Sequence, residues 1–152
     1  FKGERNMIDR FEKHYAFLSN FSNSPITDGN AVFPTVEHYF QAAKTINIDE
    51  YEQIVNASTP GQAKRIGKTI ALRKDWEEVK EQIMLEALRK KFAIPALGKM
   101  LLSTEDEELV EGNTWHDNTW GNCTCEQCKD IEGQNKLGKL LMQIREEIKS
   151  SI

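Results

Sequence analysis

The sequence has little cysteine, no long apolar run and no glycine-rich phosphate loop. Its 152 residues include three cysteines, an odd number, and all three lie within positions 123–128. A secreted disulfide framework uses an even set spread along the chain, so this pattern predicts a reducing, cytoplasmic environment. No apolar stretch approaches the roughly 18 residues that a membrane-spanning helix requires, and we expect no membrane partner.

Other absences narrow the function further. The start, FKGERNMIDR, lacks the apolar core of a signal peptide and an initiator Met, so we expect a trimmed or processed end. Neither GxxxxGK[ST] nor GxGxxG occurs, which excludes the corresponding phosphate loops. The net charge of −4 disfavours broad binding to a nucleic-acid backbone. It still permits a local basic pocket for one phosphorylated small molecule.

The chain shows no internal repeat, low-complexity tract or flexible linker, so we predict one compact domain over residues 1–152. Helical periodicity dominates after Pro34, and the fold class predicted is α+β, helix-rich, with a small β component. The predicted elements are a short strand or hairpin within 7–32, helices starting near Pro34, Pro60, Asp75 and Pro95, a strand at ELVEGN (108–113) and a final helix over 137–148.

The segment PTVEHYFQAAKT at 34–45 places an acid and an amine on one line of a helix. Glu37 and Lys44 are two turns apart with Gln41 between them. Aromatic neighbours would desolvate both side chains, making the acid a better proton donor and lowering the pKa of Lys44, as a nucleophilic amine requires. The alternative is an ordinary solvated helix edge.

The stretch ELVEGNTWHDNTWGN at 108–122 concentrates acids and aromatics in a segment with two glycines. Such loops often bind ligands. The alternative is that one tryptophan belongs to the core and the acids form turns. The chemistry-bearing residues of this stretch are Glu111, Trp115, His116, Asp117 and Trp120.

Basic residues near Pro60 offer a phosphate contact. Lys64 and Arg65 can neutralise a phosphate, with Arg suited to a bidentate grip, and the free N–H groups of the helix start add to this. Solubility alone explains most lysines and arginines equally well.

Three sulfurs and one imidazole lie close in sequence. Cys123, Cys125 and Cys128, with His116 nearby, supply the ligand set of a closed zinc site. The spacing is not a standard zinc-knuckle pair, however, and no second CxxC is present. We therefore predict free thiols and no metal, with zinc as the alternative.

A set of motifs runs in one order over almost the whole chain. They are FLSNF at 17–21, PTVEHYFQAAK at 34–44, DW at 75–76, Met84 with Lys91-Phe92, LVE at 109–111, DNTWG at 117–121 and GQNKLGKLLMQIR at 133–145. Together they resemble the YbiA-like/NADAR family. The resemblance implies a cleft for a ribose carrying a 5′-phosphate or diphosphate, and cleavage of the bond between C1′ and a base or amine nitrogen.

The resemblance also implies roles for particular residues. Glu37, Lys44 and Asp117 take the catalytic positions, with Glu37 in proton transfer and Asp117 steadying the sugar hydroxyls or the developing charge. Lys44 either holds the 5′-phosphate or attacks C1′ to form a Schiff base. Trp120 would stack on the base. The predicted substrate-binding set is Asn20, Phe21, Gln41, Lys64, Arg65, Trp120, Gly121 and Asn135.

Three functions remain open at this point. The first is an N-glycosidase acting on phosphorylated ribosylamino-pyrimidine intermediates of riboflavin biosynthesis. The second is an ADP-ribosyl hydrolase that acts on guanine bases, with nucleic acid only as a modified substrate. The third is a non-catalytic module that binds NAD or ADP-ribose. None of these three functions requires a cofactor. The oligomeric state is not predicted.

Overall fold

A computed structural model describes residues 6–152 of the chain, and residues 1–5, on which part of the N-terminal prediction rests, lie outside this range. In chain order the elements are β1 (Met7–Ile8), β2 (Ile26–Asp28), β3 (Ala31–Phe33), α1 (Val36–Ala42), α2 (Ile48–Val55), α3 (Pro60–Gly67), α4 (Trp76–Phe92), α5 (Pro95–Leu102), β4 (Glu108–Leu109), β5 (Gly112–Asn113), β6 (Asn122–Cys123) and α6 (Lys136–Ser150), with 3₁₀ helices at Lys13–Leu18 and Glu126–Cys128. This helix-rich arrangement with short strands confirms the predicted α+β class.

The fold divides into two compact units. One, the 20–93 unit, runs from Asn20 to Ala93, and the other, the terminal unit, combines the chain up to Ser19 with Ile94–Ile152. A single domain over residues 1–152 stays a prediction. Within residues 6–152, no helix combines the length and apolar character needed to cross a membrane.

In the 20–93 unit, helix α1 packs against α2, α3 and α4, so it lies at the centre of that unit. Thr35 caps it by accepting the N–H of His38 at 3.1 Å. The buried His38 ring then bonds to the Thr35 hydroxyl through Nδ1 at 2.8 Å and to the Ala57 carbonyl through Nε2 at 3.0 Å. Because a carbonyl only accepts, Nε2 carries the proton, and His38 holds α1 in place.

A hairpin leads into α1, as expected for the segment before Pro34. Strands β2 and β3 pair antiparallel from Ile26 opposite Phe33 to Asp28 opposite Ala31. Gly29 has φ +62° at the first position of the two-residue loop, a conformation that glycine adopts at little cost. The pairing leaves Phe33 buried with its ring 5.0 Å from that of Tyr39 on α1.

Helix boundaries in this unit follow the sequence signals, with two differences. Thr59 caps α3 by accepting the N–H of Gln62 at 3.0 Å, and α3 starts at Pro60, where the sequence predicts a helix start. Asp75 does stand at the start of α4, but it makes no side-chain cap, because its carboxylate bonds instead to the Arg73 guanidinium at 2.6 Å. Helix α2, which Asn47 caps, was not predicted from the sequence.

In the terminal unit, α6 packs against α5 and β4 and buries Leu137, Leu141 and Ile144 as its periodicity predicts. The ELVEGN segment forms two short strands rather than one. Strand β4 pairs parallel with β1, whereas β5 pairs parallel with β6. The chain turns between these two strands, where Asn135 Oδ1 accepts a hydrogen bond from the N–H of Glu111 at 3.0 Å.

Lys91, in the last turn of α4, is completely buried. Its Nζ donates to Ser22 Oγ at 2.9 Å and lies 5.2 Å from the centre of the Phe92 ring. Burial lowers the pKa of Lys91 to about 7, because an apolar surrounding disfavours the ammonium form.

This shift predicts a pH-dependent stability. The side chain titrates near 10.4 when unfolded, so between about pH 7 and pH 10 the unfolded chain binds more protons and stability rises with pH. We expect the free energy of unfolding of the wild type, relative to Lys91→Met, to rise by up to ~1.4 kcal/mol per pH unit in that window and to be flat below it. Urea unfolding from pH 6 to pH 10 measures this, with Lys90→Met as control. A difference that does not change with pH would contradict it.

Candidate active site

The predicted acid and its neighbour form a buried pair on α1. Glu37 and Gln41 are 7% and 3% exposed, so the alternative of a solvated helix edge is wrong. Gln41 Nε2 donates to Glu37 Oε2 at 2.6 Å, which fixes the carboxylate. A Cβ on Gly67 of α3 would overlap the Gln41 side chain, so glycine at that position makes room for the pair.

Asn20 lies next to this pair. Its carbonyl accepts the N–H of Glu37 at 3.1 Å, and its side-chain Nδ2 donates to Met84 Sδ at 3.6 Å. No donor within residues 6–152 reaches the buried Asn20 Oδ1 or Gln41 Oε1. Buried acceptors are rarely left without a donor, and Gln41 Oε1 packs against Gly67 of α3, where a Cβ would overlap it.

Lys44 lies two residues beyond the last residue of α1, so the prediction that it stands on the same helix as Glu37 is wrong. The chain before α4 holds its backbone. Its carbonyl accepts the N–H of Arg73 at 2.7 Å. Its Nζ lies 5.8 Å from the ring centres of Phe40 and Trp76, within the range of cation–π attraction. The amine is therefore flanked by aromatic surface, as the sequence predicts.

The predicted lowering of the Lys44 pKa is confirmed. Burial is the main cause, and the neighbouring cations Lys64, Lys68 and Lys80 lower the pKa further, whereas the charge of Glu37 opposes the shift. Three lysines and one acid thus act electrostatically on this amine. A group of cations around a partly desolvated amine is an arrangement that suits a phosphate-bearing ligand.

The other residues of this unit that were predicted to bind substrate differ in their exposure to solvent. Lys64 is half-buried on α3, while Arg65 is exposed and carries no observation that links it to the site. Phe21 is 44% exposed. Substrate binding by these three residues stays a prediction.

Two contributors to the site had no predicted role. Trp76 is buried, lies 5.1 Å from the Phe40 ring and covers Lys44. Lys80 lies one turn further along α4 and also bonds to Glu77 at 2.6 Å. The DW motif and the four-residue spacing from Trp76 to Lys80 were the signals that could have found them.

Asp117 and Trp120 belong to the terminal unit, where Asp117 organises its own loop. Its Oδ1 accepts the N–H groups of Thr119 at 3.1 Å and Trp120 at 2.9 Å. That carboxylate therefore fixes the start of the turn that carries Trp120. A hollow shared by Asp117, Glu37 and Lys44 stays a prediction.

The structure gives Gly121 and Asn135 roles in the fold of the terminal unit. A Cβ on Gly121 would overlap the backbone and carboxylate of Glu111. Asn135 accepts from Glu111 N and donates to the Leu109 carbonyl at 2.9 Å. Both residues thus stabilise the chain that follows β4, and their contact with substrate stays a prediction.

The structure shows the environment of Trp115 in the 108–122 stretch. Trp115 is 58% exposed, so the expectation that it could be core is wrong. The chain turns outward here because Asn113 Oδ1 bonds to the N–H of Trp115 at 3.3 Å. In the same loop, the ligand atoms of His116 and the three cysteines all lie within 4.8 Å of one another.

A hollow of about 500 Å³ occurs elsewhere in the 20–93 unit, lined by Asp28, Tyr39, Glu86, Arg89, Lys90 and Ala93. None of the predicted site residues lines it. Most of its lining residues are exposed, so it is an open surface groove without a desolvated acid or amine. We place the chemistry at the Glu37–Gln41 pair instead.

Residues 7–149 match the NADAR domain family. N-glycosidase YbiA of Shigella flexneri serotype 5b is 44% identical over 138 residues, covering 88% of this chain and 82% of that protein. The chloroplastic riboflavin biosynthesis protein PYRR of Zea mays is 38% identical over 169 residues, covering 98% of this chain but 26% of the maize protein. The NMR structure of the E. coli protein YbiA matches with a TM-score of 0.84 and 38% identity, over 97% of this chain and 88% of that one.

The fold is thus shared with the E. coli protein YbiA, and relatives named N-glycosidases match most of the chain. The chain belongs to the NADAR domain family.

The surroundings of Lys44 predict how its pKa responds to substitution. We expect the pKa of Lys44 to lie below 10.5. Glu37→Gln should lower it further, because the opposing negative charge is lost, and Lys80→Met should raise it, because a repelling cation is lost. NMR titration of the chain after ¹³C reductive methylation reports these values. A Lys44 pKa that is the same in all three proteins would contradict the electrostatic account.

Proposed function

We propose that this chain hydrolyses the C1′–N bond of a phosphorylated ribosylamino-pyrimidine, an intermediate of riboflavin biosynthesis, releasing the base and ribose 5-phosphate. The activity class is that of an N-glycosidase, since relatives with this name match most of the chain. The pyrimidine substrate is supported by the names of riboflavin biosynthesis relatives and by the chemistry of the site.

The observation that carries the proposal is the buried pair of Glu37 and Gln41 next to an amine of lowered pKa. Cleavage of an N-glycosidic bond passes through an oxocarbenium-like state and leaves a base nitrogen that requires a proton. Glu37 supplies that proton from its protonated form, which arises when the carboxylate takes up the proton that Lys44 loses on becoming neutral. Gln41 keeps the carboxyl group in position, because its amide N–H holds one carboxylate oxygen at 2.6 Å.

Lys44 acts as the nucleophile. Its neutral Nζ adds to C1′ while the C1′–N bond to the base breaks and the base nitrogen takes a proton from Glu37. One N–H proton of the resulting ammonium passes to O4′ as the C1′–O4′ bond breaks, which gives an iminium ion on Lys44. Water then adds to C1′ and its released proton returns to Glu37. The new hydroxyl proton passes to Nζ as the C1′–Nζ bond breaks, which releases the sugar as its aldehyde and restores the neutral amine. A lowered pKa provides more of the neutral amine that this route needs.

The lysines that surround Lys44 take the phosphate. Lys64, Lys68 and Lys80 are close enough to lower the pKa of Lys44, and a 5′-phosphate among them would offset their mutual repulsion. Contact of Asn20 and Gln41 with the ribose stays a prediction, as do the roles predicted for Asp117 and Trp120 in the terminal unit.

Product analysis tests the proposal directly. We expect the protein to convert a ribosylamino-pyrimidine 5-phosphate into free pyrimidine and ribose 5-phosphate, detected by mass spectrometry. Glu37→Gln should stay folded and release product at least ~100-fold more slowly, the scale of general acid–base catalysis. Glu52→Gln, which changes an exposed acid on α2, is the matched control and should retain wild-type rates.

Other outcomes of this assay assign the alternatives. Cleavage of ADP-ribosylated guanosine without cleavage of the pyrimidine substrate would show that the substrate is wrong and the class correct. Binding of ADP-ribose without release of any base would remove the catalytic proposal. Near-normal turnover by Glu37→Gln would assign the proton to another residue.

Borohydride separates the two roles of Lys44. Reduction during turnover should add the mass of a reduced, ring-opened ribose 5-phosphate at Lys44, because an iminium ion is trapped as a stable amine. Lys44→Arg keeps the positive charge but has no nucleophilic amine, so it should be inactive and give no adduct. If Lys44→Arg retains activity and the wild type gives no adduct, the lysine acts through its charge alone.

A further inference from the structure

Four side chains of the terminal unit converge on one point in the loop that follows β5. They are His116, Cys123, Cys125 and Cys128, and their ligand atoms all lie within 4.8 Å of one another. Two of the three thiols, those of Cys123 and Cys128, are buried, and Cys125 is partly exposed. The proposed glycosidase chemistry uses none of these groups.

The distances in this cluster are those of a tetrahedral metal site. His116 Nδ1 lies 3.3 Å from Cys125 Sγ, 3.4 Å from Cys128 Sγ and 3.9 Å from Cys123 Sγ. With Zn–S near 2.3 Å and Zn–N near 2.0–2.1 Å, tetrahedral angles separate a nitrogen from each sulfur by about 3.6 Å. The three observed distances lie on both sides of this value.

Hydrogen bonding does not account for the convergence. A single ring nitrogen has either one N–H or one lone pair, so Nδ1 can form one directed hydrogen bond. Three sulfurs surround it at nearly equal distances. A disulfide would engage only two of the three sulfurs, with a bond of about 2.0 Å, and would not explain the histidine.

The loop backbone is arranged so that these groups meet. His116 has φ +69°, in the left-handed region that costs a non-glycine residue energy. The completely buried Asn113 maintains that conformation, because its side chain bonds to Asp117 N at 3.1 Å and Asp117 O at 2.9 Å, on the far side of His116.

Two further elements bring in the cysteines. Pairing of β6 with β5 places Cys123 opposite Asn113, and Cys123 N donates to Asn118 Oδ1 at 2.8 Å. The 3₁₀ turn brings Cys128 back to Cys125, with Cys128 N bonded to Cys125 O at 3.0 Å. The three cysteines are thus held by hydrogen bonds of their own backbone atoms, which do not involve the thiol groups.

We propose that His116, Cys123, Cys125 and Cys128 bind one zinc ion in a closed structural site. Three thiolates and an imidazole in tetrahedral arrangement are typical of zinc. The 4.8 Å limit on the ligand atoms leaves room for one ion and none for a cluster of iron and sulfide. Four protein ligands complete the coordination, so the ion has no open position for substrate and stabilises the loop.

The site has a consequence for the predicted substrate-binding loop. Residues 116–128 carry Asp117 and Trp120 between the first and second ligands. Zinc fixes both ends of that segment, so its loss should loosen the segment while the helices remain folded. The inference needs no substrate, and its tests are independent of the proposed glycosidase activity.

Metal analysis of the reduced full-length protein tests the proposal. We expect close to one zinc ion per chain by mass spectrometry of the metal, retained on dialysis. Replacement by Co²⁺ should give the intense visible and sulfur-to-metal charge-transfer bands of tetrahedral thiolate coordination. Hydrogen exchange of residues 113–128 should become faster when the metal is removed, while exchange in α4 stays slow.

Variants locate the site. His116→Ala and Cys125→Ser should lower zinc retention at least ~10-fold in competition with a chelator. His14→Ala, which changes an exposed histidine outside the cluster, should retain one ion. If either ligand variant fails to fold, the cobalt spectrum of the wild type decides. Absence of zinc and of cobalt–thiolate bands in the reduced wild type, or full zinc retention in both folded ligand variants, would overturn the proposal.

Discussion

The hydrogen bond from Gln41 to Glu37 is the interaction on which the candidate active site depends. A carboxylate that is 7% exposed cannot be left without a donor, and a hydrogen bond to a charged group contributes about 1.5–3 kcal/mol. The partner amide needs space, which Gly67 provides because it has no Cβ. Helix α3 is therefore fitted to a side chain of α1, and the acid is oriented before any ligand arrives.

The lysines follow from the same arrangement. Lys44 emerges at the end of α1 between Phe40 and Trp76, where burial makes its charge unfavourable, and Glu37 returns part of the lost stabilisation. Lys64, Lys68 and Lys80 work against that balance. Without a ligand the cluster is electrostatically unfavourable, and an anion among these amines would relieve the repulsion. The phosphorylated substrate that we propose would supply that anion, which connects the electrostatics of the 20–93 unit with the proposed chemistry.

The sequence predicts this unit well where the signals are local. Local signals predicted helix starts near Pro34, Pro60 and Asp75, close to where α1, α3 and α4 begin. The same pattern wrongly extended the first helix to Lys44, because α1 ends at Ala42. Trp76 and Lys80 were missed because the DW motif and their four-residue spacing put them on one face of α4 without indicating that α4 packs against α1. The burial of Glu37 also depends on Gly67, thirty positions later in the chain. For Asp75, competition from Arg73 determined the side-chain partner, although the helix boundary itself was predictable.

The loop from 113 to 128 shows a different limit of prediction from the sequence. Spacing alone favoured free thiols there, because CxCxxC is not a knuckle pair and the histidine precedes it by seven positions. The four ligand atoms meet only because β5 and β6 pair in parallel and because buried Asn113 holds His116 at positive φ. Neither condition can be read from the cysteines themselves. A metal site built this way is defined by the backbone around it, so a strained histidine braced by a buried asparagine is the stronger signal than ligand spacing.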